Sequence, residues 1–161
     1  MIGALATAGL FLASAAVRAA EPIDPPAAAG ALAPNFAAAG RLVLLSWLEP
    51  LEPGRKPGEG GMALRYAAFD GTRWSSPRTI ASGTTFFANW ADFPALASAA
   101  PGWLLAAWPE KSGTGDLDYS LELARADSAD GPWRRIGAAH ERGSGEHGFV
   151  SLLPAQWRWQ V

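Results

Sequence analysis

Two apolar runs that do not alternate organise this chain. Leu42-Val43-Leu44-Leu45-Ser46-Trp47 and Trp103-Leu104-Leu105-Ala106-Ala107-Trp108 are each six residues long and close on Trp. A strand wetted on one side alternates apolar and polar residues, whereas a strand covered on both faces is apolar almost throughout. A second stretch follows each run. Ala63–Phe69 leads into Asp70-Gly71-Thr72-Arg73-Trp74, and Ser120–Asp127 leads into Asp130-Gly131-Pro132-Trp133. The run-closing tryptophans, 47 and 108, lie 61 positions apart, and the turn-closing ones, 74 and 133, lie 59 apart. Two features at nearly one spacing define an internal repeat of about 60 residues.

Four strands are expected in each repeat. The first unit gives Asn35–Ala38, Leu42–Leu48, Met62–Phe69 and Trp74–Ile80. The second gives Pro94–Ser98, Trp103–Trp108, Tyr119–Asp127 and Trp133–Ala138. Gly40, Gly102, Asp70-Gly71 and Asp130-Gly131 mark the tight turns, because these residues tolerate positive φ. No long segment keeps a helical period, and Gly or Pro interrupts every ten residues or so. The expected fold is all-β: two four-stranded antiparallel propeller blades, about 34–80 and 94–138, with the start of a third at about 148–161. In such meanders the 2–3 loops and the links from strand 4 to the next strand 1 share one edge. The junctions Pro34-Asn35-Phe36, Asn89-Trp90-Ala91-Asp92-Phe93-Pro94 and Glu146-His147-Gly148-Phe149 should therefore ring the mouth, where binding residues on a rigid scaffold usually reside.

These junctions supply the candidate chemistry. Asp92 beside Trp90 can serve as a general acid if an apolar wall raises its pKa, or it can cap the link through backbone N–H groups. Glu146 and His147 are adjacent, so only one can face the mouth from a strand. Asn35 and Asn89 can bond sugar hydroxyls or hold turns, and Trp90 can stack on a sugar ring or pack between blades. Glycoside hydrolysis normally needs two carboxylates. The two tyrosines, Tyr66 and Tyr119, fall in third strands, read as lying away from the mouth. Asp116 and Asp118 follow a Gly-rich loop without EF-hand spacing. No phosphate loop, dinucleotide fingerprint or metalloprotease motif occurs, so neither a cofactor nor a metal is expected.

The amino-terminal 1–20 differ in character. Ile2 to Val17 is apolar and uncharged and ends at Arg18-Ala19-Ala20, the pattern of a secretory signal peptide lacking a basic n-region. Sixteen or so apolar residues fall short of the roughly 20 that span a bilayer, so a cleaved leader, a secreted or periplasmic protein and no stable membrane span are expected. Residues 21–33, with Pro22, Pro25 and Pro26, read as a linker to a domain at 34–161.

The 161-residue chain carries 13 basic and 15 acidic residues without a basic cluster, which excludes a nucleic-acid footprint. Absence of Cys excludes disulfides, thiolate metal sites and Cys nucleophiles. Eight Trp suit both inter-sheet cores and sugar-stacking surfaces.

Ser128-Ala129-Asp130-Gly131-Pro132-Trp133, and in a more decayed form Phe69-Asp70-Gly71-Thr72-Arg73-Trp74, resemble the Asp-box turn of the bacterial neuraminidase-repeat propellers, the sialidases and their relatives. The resemblance covers about Pro34 to Pro154 and implies a six-bladed, glycan-processing parent in which the box is structural. It also implies an early Arg-Ile-Pro motif, further arginines and a Tyr/Glu nucleophile pair from later blades. No Arg-Ile-Pro occurs here, and the tail Gln156–Val161 lacks the Gly turn of both earlier units. The expectation is a truncated exported sialidase-like propeller, inactive alone; the alternative is a non-catalytic carbohydrate- or protein-binding module. A glycan is the expected partner, and bare outer blade faces predict self-association.

Overall fold

The computed structural model describes residues 21–56, 59–89, 91–99, 102–141, 143–148 and 150–153. The leader expected at 1–20 and the tail 154–161 lie outside the described residues. Eight strands form two four-stranded antiparallel sheets, ordered β1-β2-β3-β4 and β5-β6-β7-β8. The first sheet holds β1 (Leu32–Ala39), β2 (Leu42–Pro50), β3 (Met62–Phe69) and β4 (Arg78–Gly83). The second holds β5 (Ala95–Ala99), β6 (Trp103–Lys111), β7 (Tyr119–Ala126) and β8 (Trp133–Ala138). Among the described residues there is no helix long and apolar enough to cross a membrane.

The strands form where the apolar pattern places them, with two shifts. β1 begins at Leu32, inside the stretch read as linker, and β4 begins at Arg78 rather than Trp74. Trp74 instead makes an isolated bridge to Phe69 and packs its ring 5.0 Å from it, closing the turn. That turn is held by Asp70, whose Oδ1 accepts the N–H groups of Thr72 and Arg73 at 2.8 and 2.9 Å. These two bonds favour the ionised form and lower the pKa of Asp70. The better sequence match behaves differently. Asp130 accepts from Arg78 Nη1 at 2.8 Å and so ties its turn to β4 of the other sheet.

The two sheets stack front to back. On β2, Leu44 and Leu48 point into the shared core with Leu64, Tyr66 and Ile80, while Leu45 and Trp47 point to the other side. On β6, Leu104, Ala106 and Trp108 point into the shared core. The tryptophans at 47 and 108 thus sit on corresponding faces of successive sheets. One faces away from the second sheet, and the other faces toward the first. Two sheets related by a dyad would present like faces to each other; here unlike faces meet.

A strap precedes each Trp-bearing face. Ala27 and Ala31 pack on Leu45 and Trp47, and the Ala28 N–H reaches Glu49 Oε2 at 3.4 Å. In the second sheet Phe86 stacks 6.1 Å from Trp108, and the Thr85 hydroxyl donates to Glu110 Oε1 at 2.9 Å. The repeat therefore reaches back into the Pro/Ala-rich segment. Glu49 and Glu110 are both buried and each faces an arginine, Arg65 Nε at 2.6 Å and Arg135 Nη2 at 2.8 Å. Pairing is what makes a carboxylate tolerable beneath a strap.

Inter-sheet polar contacts add to the apolar core. The Asn35 amide donates to Pro94 O at 2.9 Å and the Tyr66 hydroxyl to Ala129 O at 2.6 Å. Trp133 meets the Tyr66 ring edge-on at 5.7 Å. The long loops lie on one edge, since Phe86 bridges to Glu110 and Tyr119 to Glu146. Residues 150–153 have no strand assignment, although their side chains line a groove with β1 and β5.

Candidate functional site

At the long-loop edge of the second sheet three acidic or phenolic groups converge. The Tyr119 hydroxyl lies 3.1 Å from Asp92 Oδ2 and 2.8 Å from Glu146 Oε1. Tyr119 is the first residue of β7, directly after the Gly-rich loop, so its side chain stands at the loop edge and not away from it. Position, not residue type, gave the missed signal: a strand's first residue after a long loop belongs to that loop's edge.

Local sequence chemistry builds the rest. Asn89 Oδ1 accepts the N–H groups of Ala91 and Asp92 at 2.7 and 2.6 Å, an Asx turn that fixes the link. Its amide nitrogen then donates to Asp92 Oδ2 at 2.6 Å. Phe87 stacks on Tyr119 with ring centres 4.0 Å apart. On the opposite side, Gly145 O accepts the Tyr119 N–H at 3.2 Å, and Gly145 N–H donates to Asp118 Oδ1 at 2.9 Å. Asp118 Oδ2 also accepts the Gly115 N–H at 2.8 Å, and these two backbone bonds lower its pKa. Gly148 closes over the cluster: a Cβ there would lie 2.1 Å from Asp92 Oδ1 and 2.8 Å from the Tyr119 hydroxyl.

The result is a latch that binds the 143–148 segment to the second sheet. Tyr119 is fully buried and Asp92 is 2% exposed, while Glu146 is exposed. Burial, and then the flanking carboxylates, raise the pKa of Tyr119, so its phenol keeps its proton. A phenol has one hydrogen to donate, and here two carboxylates compete for it. A glycosidic oxygen would have to displace Gly148 to reach Asp92.

The histidines stand beside the latch. His147 does not share the direction of Glu146; its ring lies 3.9 Å from that of His140. His140 Nε2 accepts the Leu121 N–H at 3.2 Å and Nδ1 faces Glu141 O at 2.8 Å, which makes Nδ1 the protonated nitrogen. Of the other candidates, Asn35 is engaged with Pro94 O, and Asn89 with Asp92. Trp90 lies outside the described residues.

A separate groove runs between β1 and β5, an edge strand of each sheet. Asn35, Phe36, Leu96, Ser98 and Ser151 are among its lining residues, and it holds about 320 Å³. Phe36 is 65% exposed. No carboxylate lines the groove, and no cluster of His, Cys, Asp and Glu suited to a metal occurs among the described residues. Comparison of the chain with protein-family models, with curated proteins and with solved structures found no match.

Proposed function

We propose that this chain is a non-catalytic, carbohydrate-binding part of an exported, sialidase-like β-propeller. The observation that carries the reading is the groove between β1, β5 and residues 150–153, which Asn35, Ser98 and Ser151 line and the exposed Phe36 rims from the adjacent position of β1. Amide and hydroxyl groups without a carboxylate suit a neutral sugar, the exposed Phe36 stands at the rim on the other face of β1, and the volume is at the small end of ligand sites. Front-to-back stacking of the two sheets supports the blade reading, because each blade in a ring presents one face forward and the other back. The apolar leader at 1–20 supports export.

A hydrolytic reading has one observation in its favour: Tyr119 and Glu146 are paired at 2.8 Å, the residue types that the sialidase resemblance assigns to a nucleophile. Against it, a nucleophilic phenol must release its proton, and burial holds this one on. The hydroxyl is also fully buried among the described residues. The chain is therefore read as inactive toward glycosides. The binding reading is tested by titrating neutral and sialylated oligosaccharides into the purified chain, with Phe36→Ala in parallel. Saturable binding weakened at least tenfold by Phe36→Ala supports it; no binding, or binding indifferent to the substitution, rejects it.

A further inference from the structure

We infer that the chain associates with a second copy of itself head to tail, the outer face of the second sheet of one copy receiving the outer face of the first sheet of the next. The interface already present inside the chain is the template. There, the Leu44, Leu48 and Leu64 face of the first sheet receives the Leu104, Ala106 and Trp108 face of the second. Counting back 61 positions, Leu104, Ala106 and Trp108 correspond to Val43, Leu45 and Trp47. Counting forward, Leu44 and Leu48 correspond to Leu105 and Pro109.

Each outer face is thus the counterpart of a face that the chain buries. Leu105, Leu121 and Leu123 share the outer face of the second sheet, since Leu105 pairs with Arg125 and Leu123 with Ala107 across the β6–β7 ladder, and Leu121 follows at the same alternation. All three leucines are only half-buried. On the first sheet, Val43 pairs with Phe69 and alternates with Leu45 and Trp47. Val43 is 42% exposed.

The strap does not block this contact. Its equivalent, Thr85–Phe86, covers Trp108 and Glu110 at the loop end while the first sheet covers the remainder of that face. Ala27 and Ala31 likewise cover Trp47, which is 1% exposed, and leave Val43 free for a neighbour. Because the two faces differ, the contact is heterologous and does not close at two copies. The inference needs only the face correspondence, not the sugar-binding reading.

Sedimentation equilibrium on the purified chain tests it, using two single substitutions at partly exposed positions, Val43→Glu and Leu123→Glu. Wild type is expected to show a concentration-dependent mass beyond a dimer. Each variant alone is expected to remain monomeric. Their equimolar mixture is expected to reach twice the chain mass and stop, because each supplies the face that the other has lost. A wild type that stays monomeric up to about millimolar concentration overturns the inference, since affinity weaker than that is negligible. So does a dimer in which Val43→Glu behaves as wild type, which would indicate a two-fold contact through the leucine face alone. Circular dichroism of both variants must match wild type; if either is unfolded, Val43→Lys or Leu105→Glu replaces it.

Discussion

Tyr119 donates its one hydroxyl hydrogen into a gap flanked by Asp92 and Glu146, and so joins the start of β7 to the link before β5 and to the segment beyond β8. The relationship is one of holding. It reaches across 27 residues in each direction and draws two long loops onto one strand end.

Removing the hydroxyl should cost stability. Tyr119→Phe keeps the ring against Phe87 but takes a donor from the buried Asp92. A loss of about 1.5–3 kcal/mol is expected, the range for hydrogen bonds to charged groups, while Asn89 continues to donate to Asp92. Urea unfolding followed by Trp fluorescence measures it. A midpoint unchanged from wild type would show that the hydroxyl bonds are not maintained.

Gly148 is expected to be intolerant of a side chain through lack of space. Gly148→Ala places a methyl against Asp92 Oδ1 and should destabilise by about 1–3 kcal/mol, as overpacking does. Gly143→Ala is the control: a Cβ there meets nothing within 4 Å, so its effect should stay within about 0.5 kcal/mol. Equal effects at the two positions would remove the close approach from the account.

Alkali should unfold the protein in step with tyrosine ionisation. The chain has two tyrosines, and burial, the leading cause in each, raises both pKa values above the ordinary 10.0. Below about pH 10 both the folded and the unfolded chain keep these protons, so stability does not depend on them. Above it the unfolded chain releases protons that the folded chain retains, and stability falls as pH rises toward the folded values. Absorbance near 295 nm should therefore show no tyrosinate at about pH 10 in the folded protein and a cooperative rise with unfolding at higher pH. A simple titration centred near 10 in folded protein would contradict the burial.

The Glu–Arg pairs should behave alike in the two sheets, although Trp47 also donates to Glu49 and the Trp108 indole N–H does not bond Glu110. Glu49 and Glu110 sit two residues beyond equivalent tryptophans and each faces an arginine. Glu49→Ala and Glu110→Ala are each expected to lose about 1.5–3 kcal/mol, the range for hydrogen bonds to charged groups. Thermal unfolding of both variants provides the comparison. A neutral effect at one site and a large effect at the other would mean that the repeat does not extend to these carboxylates.

The strands were legible because non-alternating runs such as Leu42–Trp47 carry a strong period signal, and glycines mark the turns. The start of β1 was not, because Leu32 follows a Pro/Ala-rich stretch whose composition suggests a linker; Leu32 pairs with Leu48, and the preceding Ala27, Ala28 and Ala31 contact the Trp47 and Glu49 face. The junction residues were legible as neighbours at one edge, and Asp92 and Glu146 do meet there through Tyr119. Their engagement with each other was not. Partner identity across 27 residues depends on strand register, and a one-residue slip would turn Tyr119 to the other face. The buried carboxylates Glu49 and Glu110 went unread as a pair, although their common spacing from Trp47 and Trp108 was present in the repeat.

The measurement that bears most directly on the central claim, that Asp92, Tyr119 and Glu146 hold the fold and do not perform glycoside chemistry, is a hydrolysis assay with fluorogenic sialosides and neutral glycosides. Purified wild type and Asp92→Asn are compared, with circular dichroism to establish that both are folded. The account predicts no fluorophore release above the protein-free rate from either protein. Turnover by wild type that disappears in a folded Asp92→Asn would contradict it and return the latch to the reaction.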